Sequence, residues 1–178
     1  MPAKKILVTG GNGFLGSRLV NRLRIMGQMV YAPTKAEFDL EKTHETKFCF
    51  VKYKPDIVYH LAAAVGGIKA NMENRASFFA RNLRMGLNVI DEAINAGVNK
   101  MIIAGSTCSY PKNSPIPFVE DNLFNGYPDE SNAPYGLAKR GVLTYAQGCR
   151  QQYGFPAITL IPTNIYGPGD HFGQYGHA

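Results

Sequence analysis

The stretch "KKILVTGGNGFLGSRLVNRLRIMG" (residues 4–27) limits what this chain can fold into more than any other part of it. A short apolar run stops at a glycine, and Phe14, Leu15, Leu19, Leu23 and Met26 then recur at helical spacing as far as Gly27. Gly10, Gly13 and Gly16 fall between the two as GxxGxxG. Such a turn uses residues without Cβ for its tight bend, for close approach of a phosphate, and for packing helix on strand, while the helix N-terminus faces the anion. A dinucleotide is expected here, with Phe14 and Leu15 beside it. Glycine-rich βα turns also occur without a ligand; the strand before and the helix after lift the pattern above that reading.

The rest of the chain repeats the alternation. "QMVYA", "PDIVYHLAAA", "KMIIAGS" and "AITLIPT" read as strands, and "HETKFCFVKYK", residues 71–96 and "PYGLAKRGVLTYAQGCRQQYG" as helices. Each strand is a continuous apolar run, which predicts a parallel sheet covered on both faces. The expected fold is α/β, a doubly wound parallel sheet of the Rossmann type. Ligands of such sheets bind at the C-terminal strand edge. That edge carries Leu61, Ala62 and Ala63 of "LAAAVGG" and Pro162, Asn164 and Ile165 of "PTNIYGPGD", all expected to touch the cofactor.

The second strand ends "VYAPTKAEFDL". A free ribose 2′-hydroxyl ordinarily meets an acid at this point. Lys35 stands there instead and suits a 2′-phosphate, which favours NADP over NAD; against it stands an ordinary surface lysine with Glu37 nearby. Asp39 and Leu40 are expected to flank the adenine.

Lys plus Arg number 19 against 13 Asp plus Glu, a net +6 scattered along the chain. That is a solvated basic surface, or attraction for a polyanionic small ligand such as a dinucleotide or nucleotide sugar. No basic cluster interleaves with aromatics, so nucleic acid is not expected. Cys49, Cys108 and Cys149 are odd in number and lack metal-ligand spacing, and no metal is expected. The longest apolar stretch, "IVYHLAAAV", is too short to cross a bilayer, and the N-terminus does not read as a signal peptide. A cytoplasmic protein is expected.

Tyr135 and Lys139 of "YGLAK" are four apart and share a helix face. A phenol ionises near about 10, and a neighbouring ammonium favours phenolate. The pair can hand a proton to a carbonyl oxygen while hydride reaches its carbon. YxxxK is common by chance; it gains force from the dinucleotide fold and from Thr107, whose hydroxyl follows the fourth strand.

Together GxxGxxG, "LAAA", Thr107 and Tyr135–Lys139 resemble the extended short-chain dehydrogenase/reductases. "PDIVYHLAAAVGGIKAN", "GSTCSYPK" and "PTNIYGPGD" are similar to the GDP-L-fucose synthase branch of that family. The resemblance implies NADPH, a GDP-linked 4-keto-6-deoxy sugar epimerised at C3 and C5 and reduced at C4, and a homodimer pairing residues 82–96 and the Tyr135–Lys139 helix with their copies through the small residues Ala138, Gly141 and Ala146. It implies Cys108 as the base and His177 as the acid, against a buried filler thiol and a terminal histidine. The hydroxyl is usually serine in that family; Thr107 keeps the hydroxyl and adds a methyl. The resemblance also implies a C-terminal substrate domain, so residues 1–178 are expected to be the cofactor domain alone. A 4,6-dehydratase is disfavoured, because an Asp–Glu pair is expected there where Cys108 and Ser109 stand. A related nucleotide-sugar reductase and a non-catalytic NADP-binding module are the alternatives.

Overall fold

The computed structural model describes residues 3–170. The chain runs β1 (Lys5–Thr9), α1 (Phe14–Ile25), β2 (Met29–Tyr31), α2 (Thr43–Tyr53), β3 (Ile57–His60), α3 (Ile68–Glu73), α4 (Arg75–Asn95), β4 (Lys100–Ala104), α5 (Ala133–Tyr153) and β5 (Ala157–Leu160). All strand pairs are parallel, in the order β2-β1-β3-β4-β5. The chain steps outward from β1 to β2 and then returns past β1 to β3. That reversal places the topological switch point between β1 and β3, where the following loops diverge and leave a crevice.

The continuous apolar runs are explained by the two covered faces. Leu7, Val58, Met101 and Ile103 pack against α2, α4 and α5 through Phe50, Val89, Ile90, Val142 and Ala146. Ile6 and Val8, their side chains alternating with Leu7, meet Val20 and Leu23 of α1. Cover thins at the far edge, where Ile158 and Leu160 of β5 are 40% and 57% exposed.

The helix expected over residues 71–96 is broken at Asn74, whose backbone (φ −116, ψ 29) leaves the helical region between α3 and α4. A Cβ on Gly86 would lie 2.3 Å from Val142 Cγ2, and one on Gly141 3.0 Å from Leu83 Cδ1. Gly141, and the buried Ala138 and Ala146, therefore serve contacts within this chain. Their smallness is not left over for approach between copies, the reason the sequence suggested for a dimer.

His60, at the end of β3, is buried and shares a 2.8 Å hydrogen bond between its Nδ1 and Thr9 Oγ1. Burial, and then the nearby Lys139 charge, lower its pKa from 6.5 to about 3. The folded imidazole stays neutral where the unfolded one takes up a proton, so its contribution to stability is complete above about pH 6.5 and is lost as pH falls toward about 3. Urea midpoints measured from pH 7 to 4 should fall steeply in the parent and less in His60→Asn. Equal slopes would contradict this.

Candidate active site

The cofactor cradle is built from backbone. Gly10 ends β1 at φ 70, and a Cβ there would sit 2.7 Å from Ala62 N. A Cβ on Gly16 would sit 2.1 Å from Gly10 O, so the first turn of α1 can lie on the loop only with glycine at that position. Gly13 is the N-cap of α1 and has no side chain to occupy the free amides, which leaves them to an anion. Across the crevice, Ala62 N donates to Thr9 Oγ1 at 3.3 Å. Asn82 of α4 clips the same turn in both directions: Ala64 N donates to its Oδ1 at 2.9 Å, and its Nδ2 donates to Ala64 O at 2.7 Å.

Between these loops lies a cavity of about 700 Å³. Its lining holds Gly10, Gly13, Phe14, Leu15, Gly16, Lys35, Asp39, Leu40, Leu61, Ala62, Ala63, Thr107, Cys108, Tyr135, Lys139, Pro162, Asn164 and Ile165, the residues singled out from the sequence with one exception. That exception, His177, lies outside the described residues. The glycine cradle, the open helix start and the length of the crevice fit a dinucleotide. Among the described residues, no group of three or more His, Cys, Asp or Glu is placed to hold a metal ion, and no helix is long and apolar enough to cross a membrane.

At the adenosine end, Lys35 is paired with acids of its own loop. Its Nζ lies 2.8 Å from Glu41 Oε1 and 3.7 Å from Asp39 Oδ2. Arg81 of α4 brings its Nε to the same Glu41 oxygen at 2.9 Å, and it too lines the cavity. Two cations therefore converge on one carboxylate, a pairing that 40 residues of sequence separation conceal.

At the other end, Tyr135 and Lys139 project from the first turns of α5. Lys139 is buried, its Nζ 5.7 Å from the Tyr135 ring centroid and donating to Ala104 O at 2.9 Å. Burial lowers its pKa to about 8. The sequence predicts that this ammonium favours phenolate. The structure reverses the direction: burial and then the neighbouring Cys108 charge push Tyr135 up to about 12, against a hydrogen bond from Ser106. Desolvation dominates because Tyr135 is nearly enclosed, and the Ser106 hydrogen bond does not offset it. Tyr135 is therefore a held proton, suited to donation.

The hydroxyl that reaches the phenol is that of Ser106, with Thr107 one residue on in the same cavity lining. Ser106 also accepts from Cys108 N at 3.2 Å and so caps the short 3-10 turn Thr107–Ser109. That turn presses on α5: a Cβ on Gly136 would lie 2.1 Å from Cys108 O, and Ser109 Oγ donates to Gly136 O at 3.1 Å. Arg140, buried on α5, donates its Nε to Ser109 O and its Nη1 to Gly126 O at 2.8 Å, fixing the connection between β4 and α5. Ser106, Asn82, Gly136 and Arg140 escape the sequence reading; the one available signal was the adjacent pair of hydroxyls in "GSTC", whose register a sequence leaves open.

Residues 6–178 match the NAD dependent epimerase/dehydratase family. A probable GDP-L-fucose synthase 1 from Oryza sativa subsp. japonica is 39% identical over 170 residues, covering 94% of this chain and 52% of that protein. A GDP-L-fucose synthetase from Naegleria fowleri, solved bound to NADP, superposes with a TM-score of 0.86 at 33% identity, covering 97% of this chain and 54% of that one. A GDP-mannoheptose C4 reductase from Campylobacter jejuni, solved with NADP bound, gives 0.89 at 32% identity, covering 93% and 53%. The chain spans about half the length of the curated relatives it matches.

Proposed function

This chain belongs to the NAD dependent epimerase/dehydratase family, and from that premise we propose that it binds NADP(H) and forms the cofactor half of an epimerase–reductase acting on a GDP-linked 4-keto-6-deoxy sugar, with GDP-L-fucose as product. The observation that carries this reading is one cavity lined at once by a glycine cradle, a Ser106–Tyr135–Lys139 group and Cys108. The relatives whose names are GDP-L-fucose synthase, and the likeness to structures with NADP bound, support it.

The glycine cradle and the free amides at the start of α1 would hold the cofactor's diphosphate. When bound, the nicotinamide supplies the hydride. Cys108, as thiolate, takes the proton from the carbon next to the ketone; the C–H electron pair moves toward the ketone oxygen, and Ser106 and Tyr135 hydrogen-bond that oxygen. Return of a proton to the opposite face of the carbon inverts it, the role proposed for His177. In the reduction, Tyr135 gives its proton to the C4 oxygen as the carbon accepts hydride, and Lys139 offsets the charge left on the phenol. The hydroxyl role thus passes from Thr107 to Ser106. A homodimer is proposed on the resemblance alone; a cytoplasmic setting is proposed on the sequence, and the three free cysteines are in keeping with it.

A reductase without epimerase activity is the second reading, favoured by the Campylobacter structure's name. Proton exchange at C3 and C5 separates the two. Cofactor choice is testable on the 178-residue chain itself. Lys35 and Arg81 together should make NADPH bind at least about tenfold more tightly than NADH, as one charge-assisted contact to a 2′-phosphate would give. Titration by nucleotide fluorescence checks this, and equal affinities would refute it.

A further inference from the structure

Resting on the reading in which Cys108 is the base, we propose that Asn132 is the residue that positions the Cys108 sulfur and supports it in its anionic form. Asn132 is the N-cap of α5, and asparagine there ordinarily bonds its side chain to the free amides of the first turn. Here it makes no such bond. Its Nδ2 instead donates to Cys108 Sγ at 3.3 Å, and its Oδ1 is buried with no hydrogen-bond partner among the described residues. A forgone cap and an unpaired buried acceptor both destabilise the start of the helix. What the fold gains at this point is the contact with sulfur.

The contact does not depend on which amide atom is nitrogen. Turned over, the amide would offer Oδ1 to a thiol S–H and bury Nδ2 instead, with Cys108 still its partner. One carboxamide can thus donate to the thiolate and accept from the thiol, the two states a base passes through. The spacing is fixed by backbone: Gly136 lets the carbonyl of Cys108 sit where a Cβ would lie 2.1 Å away, so turn and helix cannot separate without losing that contact. Asn132 is absent from the cavity lining, so it acts through Cys108 and does not itself meet the substrate.

Two substitutions separate this role from a structural one. Asn132→Ser can cap the helix but is too short for the sulfur; Asn132→Asp can cap it and places a carboxylate beside the sulfur. The probe is iodoacetamide, with Cys108 labelling followed by peptide mass spectrometry at neutral pH; Cys49 and Cys149 are 0% and 2% exposed and label only on unfolding. Both variants should melt at or above the parent temperature, while Cys108 alkylation slows several-fold in Asn132→Ser and about tenfold in Asn132→Asp. Parent-rate alkylation in both variants would overturn the proposal, and so would slowing that merely tracks a lower melting temperature. No sugar takes part in this measurement. Its failure therefore leaves the epimerase reading standing, whereas absent proton exchange in the parent would defeat that reading and leave the Asn132–Cys108 pairing intact.

Discussion

Replacing Tyr135 by Phe should cut reduction of the 4-keto sugar by roughly 10² to 10⁴-fold, the range a positioned general acid supplies, while NADPH affinity stays within about twofold of the parent. The expectation follows from burial. Tyr135 is 8% exposed and its phenol pKa is raised to about 12, so it enters the reaction carrying its proton. The buried surroundings that raise the pKa also keep water from supplying a substitute. The ring remains in Phe, so packing against α5 and the Thr107–Ser109 turn is kept, and Lys139 keeps its bond to Ala104 O. Turnover is measured in a chain extended to the length of the relatives, binding in the 178-residue chain. A variant that keeps most of its turnover would remove Tyr135 from the mechanism.

Replacing Cys108 by Ser should remove solvent-deuterium incorporation at C3 and C5 by about a hundredfold or more, since a hydroxyl is far less acidic than a thiol and does not supply an anion near neutral pH. Hydride transfer depends on Ser106, Tyr135, Lys139 and the cofactor, none of which this substitution removes. Any product still formed should therefore keep the starting configuration at both carbons. The serine hydroxyl can still accept from Asn132, so loss of exchange would not be a consequence of a collapsed turn. Exchange at the parent rate would make Cys108 a packing residue and leave the protein, at most, a reductase.

Much of this site was legible because its chemistry is local in sequence. GxxGxxG lies inside one strand–turn–helix, and Tyr135 and Lys139 are neighbours on one helix, so spacing alone places them. Parallel strands read as apolar runs because residues such as Ile6 and Leu7 are buried on opposite faces. What was not legible depends on contacts across the chain. Glu41 gathers Lys35 and Arg81 from different elements. Asn82 reaches back 18 residues to hold the turn after β3. The choice between Ser106 and Thr107 depends on where a 3-10 turn begins, and the direction of the Tyr135 shift depends on how much water α5 excludes. Asn132 looks from sequence like an ordinary cap residue; its diversion to sulfur exists only in three dimensions.

The most direct test of the central claim is proton NMR of GDP-4-keto-6-deoxy-mannose incubated in D2O with NADPH and the chain extended to its relatives' length. The account predicts deuterium at both C3 and C5, oxidation of NADPH, and a product with the L-fuco configuration. Oxidation of NADPH with no deuterium at either carbon would contradict it.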